Sequence, residues 1–154
     1  RFGNVIGSRG SVLPNLVHQI KSNKPMTITH KDMIRYFINI EDSSNVLTSC
    51  ISLMKGGEIF IPNNLKLFKI LDLAKALKIY FKKPNQKIIF TGIRQGEKLF
   101  EKLYSENEKD KIHIYKKFLI INNRVNNKSF NPNPDKLLKI SEIIGLLKKT
   151  LKHK

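Results

Sequence analysis

The chain has 154 residues, 40% of them hydrophobic, which is enough for one domain with its own core. Its net charge of +17 invites a nucleic-acid reading, but nearly all of the excess is lysine scattered over helix faces, so a polynucleotide-binding module is the lesser reading. A single cysteine, Cys50, excludes an internal disulfide framework, and no run approaches the ~20 apolar residues of a membrane span.

The chain opens at Arg1, without a methionine, inside what reads as a strand entering a loop; the expectation is a piece of a longer protein. "FGNVIG" (2–7) alternates and ends in glycine, so it reads as a strand. "SVLPNLVHQIKS" carries Val12, Leu13, Leu16, Val17 and Ile20 at helical spacing, with Ser11 placed as N-cap and Pro14 in the first turn. "MTIT" (26–29) and "IRYFINI" (34–40) read as strands. "EDSSNVLTSCISLMKGG" reads as a helix capped near Asp42 or Ser43 and stopped by Gly56 and Gly57, with Cys50 a buried thiol within it. "EIFIP" (58–62) is a strand, "KILDLAKALKIYF" (69–81) an amphipathic helix and "KIIFTG" (87–92) a further strand.

"GEKLFEKLYSENE" (96–108) is expected to begin as a helix, and "IHIYKKFLIIN" (112–122) to form one strand. "NRVNNKSFNPNPD" (123–135) reads as a turn-rich connection, after which Asp135 caps a final helix, apolar on one face and lysine-rich on the other. Ordinary packing plus solubility is the simplest account of that helix, and a membrane-surface helix the other. Strand–helix alternation throughout argues an α/β fold.

No metal-ligand spacing is present, since the four histidines stand apart and Cys50 has no partner. "GNVIGSRG" is not the G-x-G-x-x-G dinucleotide fingerprint, and "GIRQGEK" is not a Walker A loop. What remains is arginine at loop edges: Arg9, Arg35, and Arg94 between Gly92 and Gly96. A guanidinium presents a planar fork that matches phosphate, and glycine lets a ligand approach the main chain. The competing account is a structural ion pair for each arginine.

Taken in order, "RFGNVIGSRGSVLPNLVHQI", "KPMTITHKDMIRYFINIEDSSNVL", "GGEIFIP", "ILDLAKAL" and "TGIRQGEKLFEKL" resemble the C-terminal half of the UDP-N-acetylglucosamine 4,6-dehydratases. These are CapD-like extended short-chain dehydrogenase/reductases of polysaccharide and flagellin-sugar biosynthesis. The resemblance covers about residues 1–106. It implies an NADP-dependent parent enzyme that oxidises the sugar at C4, eliminates water across C5–C6 and returns hydride to C6, with C5 inverted in some members. It also implies that the cofactor fingerprint and the catalytic residues lie outside this chain, so that the chain alone is inactive.

By that match, Asn4 contacts the substrate diphosphate, Arg35 and Arg94 clamp it, and Thr27 and Thr29 line the uracil. Glu97 and Lys98 lie at the edge of the site, and Arg9 serves either the ligand or a subunit contact. Two departures stand out: Gln95 occupies a position where the family usually has proline, and "PNNLKLF" is a loose version of a tidier segment. The resulting expectation is the end of a Rossmann sheet plus a small α/β substrate-binding lobe over 1–122, then a linker and helix over 123–154. A UDP-sugar partner, a cytoplasmic location and a homo-oligomeric parent go with it, without nucleic acid or metal. A related UDP-sugar epimerase or reductase is the alternative within the same superfamily.

Overall fold

The structure is a computed structural model that describes residues 1–122 and 136–151. It is α/β, as the strand–helix alternation implies, with eight short strands in three small sheets among the described residues. The first is mixed. In it β3 (Ile34–Ile38) lies between β1 (Asn4–Val5), which runs parallel to it, and β5 (Lys66–Lys69), which runs antiparallel. The second is a parallel pair of β2 (Met26–Ile28) and β6 (Ile88–Phe90). The third is antiparallel, in the order β4 (Ile59–Pro62), β8 (Phe118–Ile121), β7 (Ile112–Tyr115).

The main core lies between the first two sheets and the helices α1 (Val12–Lys21), α3 (Ile70–Tyr80) and α4 (Ile140–Leu151). Leu13, Leu16 and Ile20 form the buried stripe of α1, and Leu73, Ala74 and Leu77 that of α3. Ile143 and Leu147 of α4 reach the same core, so the final helix packs on the domain. Beneath α3, Phe37 and Phe68 stack with ring centroids 4.2 Å apart. Burying such rings and branched side chains contributes about 1.5–3 kcal/mol each, which is what holds strands this short together.

Several expectations need correction. Helix α2 (Ile40–Leu53) is capped by Asn39, not by Asp42 or Ser43. The Asn39 Oδ1 accepts from the Asp42 backbone N–H at 2.6 Å, because Asn39 still has extended backbone where β3 ends. Residues 97–105 form no helix. They run beside β3, with the Ile34 N–H donating to the Leu99 carbonyl at 2.8 Å and Phe100 bridging to Ile34. A 3-10 helix follows at Glu106–Lys111, closed by a Ser105–Glu108 capping box.

The single strand expected over 112–122 is a hairpin that turns at Lys116 and Lys117, with Lys116 at φ 51°. Two-residue turns of this kind usually carry Asn or Gly, so a lysine pair hides the turn. Strand β5 falls in the "PNNLKLF" stretch, to which the sequence reading assigns no strand, and α4 begins at Ile140 because the Leu138 N–H donates to the Leu67 carbonyl at 2.8 Å. The turn-rich connection and the Asp135 cap lie outside the described residues. Cys50 is half-buried rather than buried, and burial pushes its thiol up from the ordinary range.

Gly3 lies so close to β3 that a Cβ there would stand 2.2 Å from the Tyr36 carbonyl oxygen. Helix α2 buries Ser43 and Val46, while Ile40, Leu47, Ile51 and Met54 on its other side are 55–68% exposed. Among the described residues, no helix is long and apolar enough to cross a membrane.

Candidate functional site

A cleft of about 360 Å³ opens where α1, the ends of β1 and β2, β3 and the loop after β6 converge. The alternation of β2 explains its composition. Met26 and Ile28 face the core, so Thr27 and Thr29 face the cleft. The same logic places Asn4 at the mouth, since β1 ends beside the first turn of α1.

Six of the eight residues singled out from the sequence line this one cleft: Asn4, Thr27, Thr29, Arg35, Arg94 and Glu97. Arg9 and Lys98 do not. Arg9 is exposed on the turn before α1, where its neighbour Gly10 touches the cleft instead. Lys98 is exposed and points into a separate hollow that it shares with Arg1, Glu101 and Glu108.

The two cleft arginines differ sharply. Arg35 is only 8% exposed, and its Nη1 donates to the carbonyls of Ile34 at 2.8 Å and Leu99 at 3.1 Å. Its Nη2 lies 3.3 Å from a Glu101 carboxylate oxygen and 4.0 Å from one of Glu97. Arg35 therefore latches the 97–101 segment onto β3 while lining the floor of the cleft. Arg94 is exposed at the rim, and its guanidinium meets no partner among the described residues.

The loop that carries Arg94 is shaped by a turn from Arg94 to Glu97, in which the Glu97 N–H donates to the Arg94 carbonyl at 3.0 Å. Gly96 adopts φ 79° at the third position, the geometry that a type II turn requires and that glycine supplies without strain. The Glu97 carboxylate accepts from the Arg94 N–H at 3.2 Å and from the Thr29 hydroxyl at 3.3 Å.

The opposite wall comes from α1. Gln19 forms a reciprocal pair with Thr27: its Nε2 donates to the Thr27 Oγ1 at 2.8 Å, and its Oε1 accepts from the Thr27 N–H at 3.0 Å. Asn15 and His18 flank it. Sequence reasoning missed these three. Their spacing of three and four residues puts them on one helix face, but that pattern is also what a solvated face looks like. Among the described residues no cluster of His, Cys, Asp and Glu could hold a metal ion.

The arrangement suits an elongated polar ligand with an anionic portion. Hydroxyl and amide groups line one side, a guanidinium without a partner among the described residues stands at the rim, and a second, buried positive charge lies beneath. A family described as "Polysaccharide biosynthesis protein" matches residues 1–123. The chain belongs to that family. Among its relatives, the capsular polysaccharide biosynthesis protein CapD of Staphylococcus aureus is 41% identical over 92% of this chain and 26% of its own length. A UDP-glucose 4-epimerase of Rickettsia bellii (strain OSU 85-389) is 42% identical over 70% of this chain and 31% of its own.

The X-ray structure of Pen from Bacillus thuringiensis superposes with a TM-score of 0.86 at 29% identity, covering 97% of this chain and 48% of that one. The chain thus spans about a quarter to a third of these curated relatives and about half of the solved structure, with the fold expected for the C-terminal portion of an extended short-chain dehydrogenase/reductase. A dinucleotide cofactor fits these residues poorly. The loop between β1 and α1 has glycines at 7 and 10 with positive φ, but lacks the spacing that brings a pyrophosphate onto a helix N-terminus. No hydride step is assigned to this chain.

Proposed function

We propose that this chain is the substrate-binding part of a nucleotide-sugar 4,6-dehydratase that converts UDP-N-acetylglucosamine to a UDP-4-keto-6-deoxy sugar for polysaccharide or glycan biosynthesis. The intact enzyme, in this reading, is a cytoplasmic homo-oligomer holding NADP through residues outside this chain. The observation that carries the proposal is Arg94: on a glycine-flanked turn, at the rim of a cleft that also holds the amides of Asn4, Asn15 and Gln19 and the hydroxyls of Thr27 and Thr29, its guanidinium meets no partner among the described residues.

In this arrangement the Arg94 fork meets the diphosphate, and the buried Arg35 adds positive potential from below. Asn4 donates to the diphosphate from the end of β1. Thr27 and Thr29 run along the uracil, with Gln19 holding Thr27 in place. The chain binds and orients, and the redox and proton-transfer groups come from elsewhere in the enzyme. The 42% identity to a protein named UDP-glucose 4-epimerase keeps epimerisation of a UDP-sugar as a second reading, with the same binding role for this cleft.

Calorimetric titration of the chain with UDP and UDP-N-acetylglucosamine tests the proposal. A charge-assisted Arg–phosphate contact is worth about 1.5–3 kcal/mol, so Arg94→Ala should weaken binding about 10- to 100-fold. Undiminished UDP binding by Arg94→Ala refutes the role of Arg94. Polynucleotide binding that falls steeply with salt, in place of UDP binding, favours the nucleic-acid reading.

A further inference from the structure

We infer that Glu97 is a positioning residue, which fixes the Arg94–Glu97 turn so that the Arg94 guanidinium is presented to the anionic end of the ligand. The inference rests on the reading above that Arg94 meets a diphosphate. It assigns to Glu97 a task other than touching that ligand.

A carboxylate lining an anion site is at first sight a liability, since like charges repel. The geometry removes the conflict. One Glu97 oxygen accepts from the Arg94 N–H at 3.2 Å, and the other from the Thr29 hydroxyl at 3.3 Å. Behind them the buried Arg35 guanidinium stands 4.0 Å away. The charge of Glu97 is therefore spent on the turn, on the end of β2 and on Arg35, and little of it faces the ligand.

The turn needs such a support. Its second position, Gln95, is where proline would fix φ in advance, and glutamine does not. Its third position is Gly96, the residue with the most backbone freedom to lose. Without Glu97 the turn would rest on the Glu97 N–H to Arg94 carbonyl bond alone at 3.0 Å. Arg94 opens this turn, and among the described residues no side-chain partner steadies its guanidinium. Ordering a long side chain on a loose turn costs binding free energy, whereas a turn already set by a carboxylate has lost that freedom beforehand.

A double-mutant cycle on the 154-residue chain, read by UDP titration, tests the inference. Glu97→Ala should weaken UDP about three- to tenfold, the scale of ordering one mobile side chain. Arg94→Ala should weaken it more, and the double variant should bind no worse than Arg94→Ala alone. Glu97→Gln keeps an acceptor oxygen for the Arg94 N–H and should recover most of the loss. Glu97→Met, similar in length but without an acceptor, replaces the alanine variant if that one loses its circular-dichroism signal.

A Glu97→Ala loss that persists undiminished in the Arg94→Ala background overturns the inference, because Glu97 then touches the ligand itself. Wild-type affinity in Glu97→Ala overturns it as well. If Arg94→Ala binds like wild type, it is the diphosphate reading that fails, and amide hydrogen exchange then judges Glu97 without any ligand. The Arg94 and Glu97 amides should exchange faster in Glu97→Ala and at the wild-type rate in Glu97→Gln. Unchanged exchange in the alanine variant refutes the positioning role outright.

Discussion

Replacing Arg35 by alanine separates a latch from a clamp. Arg35 is 8% exposed and donates to two backbone carbonyls and to Glu101. Not all of this is lost stability. The Leu99 carbonyl keeps its bond from the Ile34 N–H at 2.8 Å, so it is not orphaned. The Glu101 side chain is 58% exposed and rehydrates when its partner goes, so that ion pair is worth no more than an exposed pair, about 0–1 kcal/mol.

The larger losses are the buried aliphatic stem and the charged hydrogen bond to Leu99, which reinforces the Ile34–Leu99 backbone bond in tying strand to loop. Together they come to about 2–4 kcal/mol. Urea unfolding followed by circular dichroism should show a midpoint lowered accordingly with an unchanged slope. The same variant titrated with UDP reads the second role. A loss of stability under ~0.5 kcal/mol alongside abolished UDP binding would refute the latch argument, leaving Arg35 a ligand clamp and nothing more.

Two other perturbations test the frame around the cleft. Gly3→Ala sets a methyl 2.2 Å from the Tyr36 carbonyl oxygen, so β1 must move away from β3; the expected cost is about 1–3 kcal/mol in a thermal or urea melt, with weaker UDP binding because Asn4 moves too. An unchanged melt would mean that β1 is not seated as described. Glu108 is held well below its ordinary 4.5, at about 2, chiefly by the Arg1 guanidinium at 2.8 and 2.9 Å and then by the Ser105 N–H. A lowered folded-state pKa contributes stability that is complete above about 4.5 and disappears as pH falls towards 2, so Glu108→Gln should flatten this limb of the acid-unfolding curve. The side chains are 43% and 23% exposed, which holds the effect to about 1 kcal/mol.

Much of this molecule was legible where periodicity and burial agree. α1 and α3 follow from stripes of apolar residues at helical spacing, and β2 from the alternation of Met26, Thr27, Ile28 and Thr29. Of the six cleft residues, Arg35 and Arg94 were within reach as arginines at loop edges, whereas Asn4, Thr27, Thr29 and Glu97 came only with the family resemblance. What escaped was decided by tertiary contacts. "GEKLFEKL" has helical spacing, but Arg35 and the β3 edge draw its backbone out. β5 buries the adjacent Leu67 and Phe68, which hides the alternation of a strand. Gln19 gave no signal beyond a polar helix face, because its partner Thr27 lies in a different element.

The outward face of α2 has a consequence for the chain as a colloid. Ile40, Leu47, Ile51 and Met54 present an oily stripe to water, and the attraction between two such stripes does not weaken as salt is added. The opposing force is long-ranged and electrostatic: copies carrying +17 repel one another across about 10 Å at 0.1 M salt and only about 3 Å at 1 M. The lysine excess thus acts as a dispersant for a surface that the helix leaves uncovered. Raising the ionic strength shortens that repulsion and should let copies of this chain approach one another in solution.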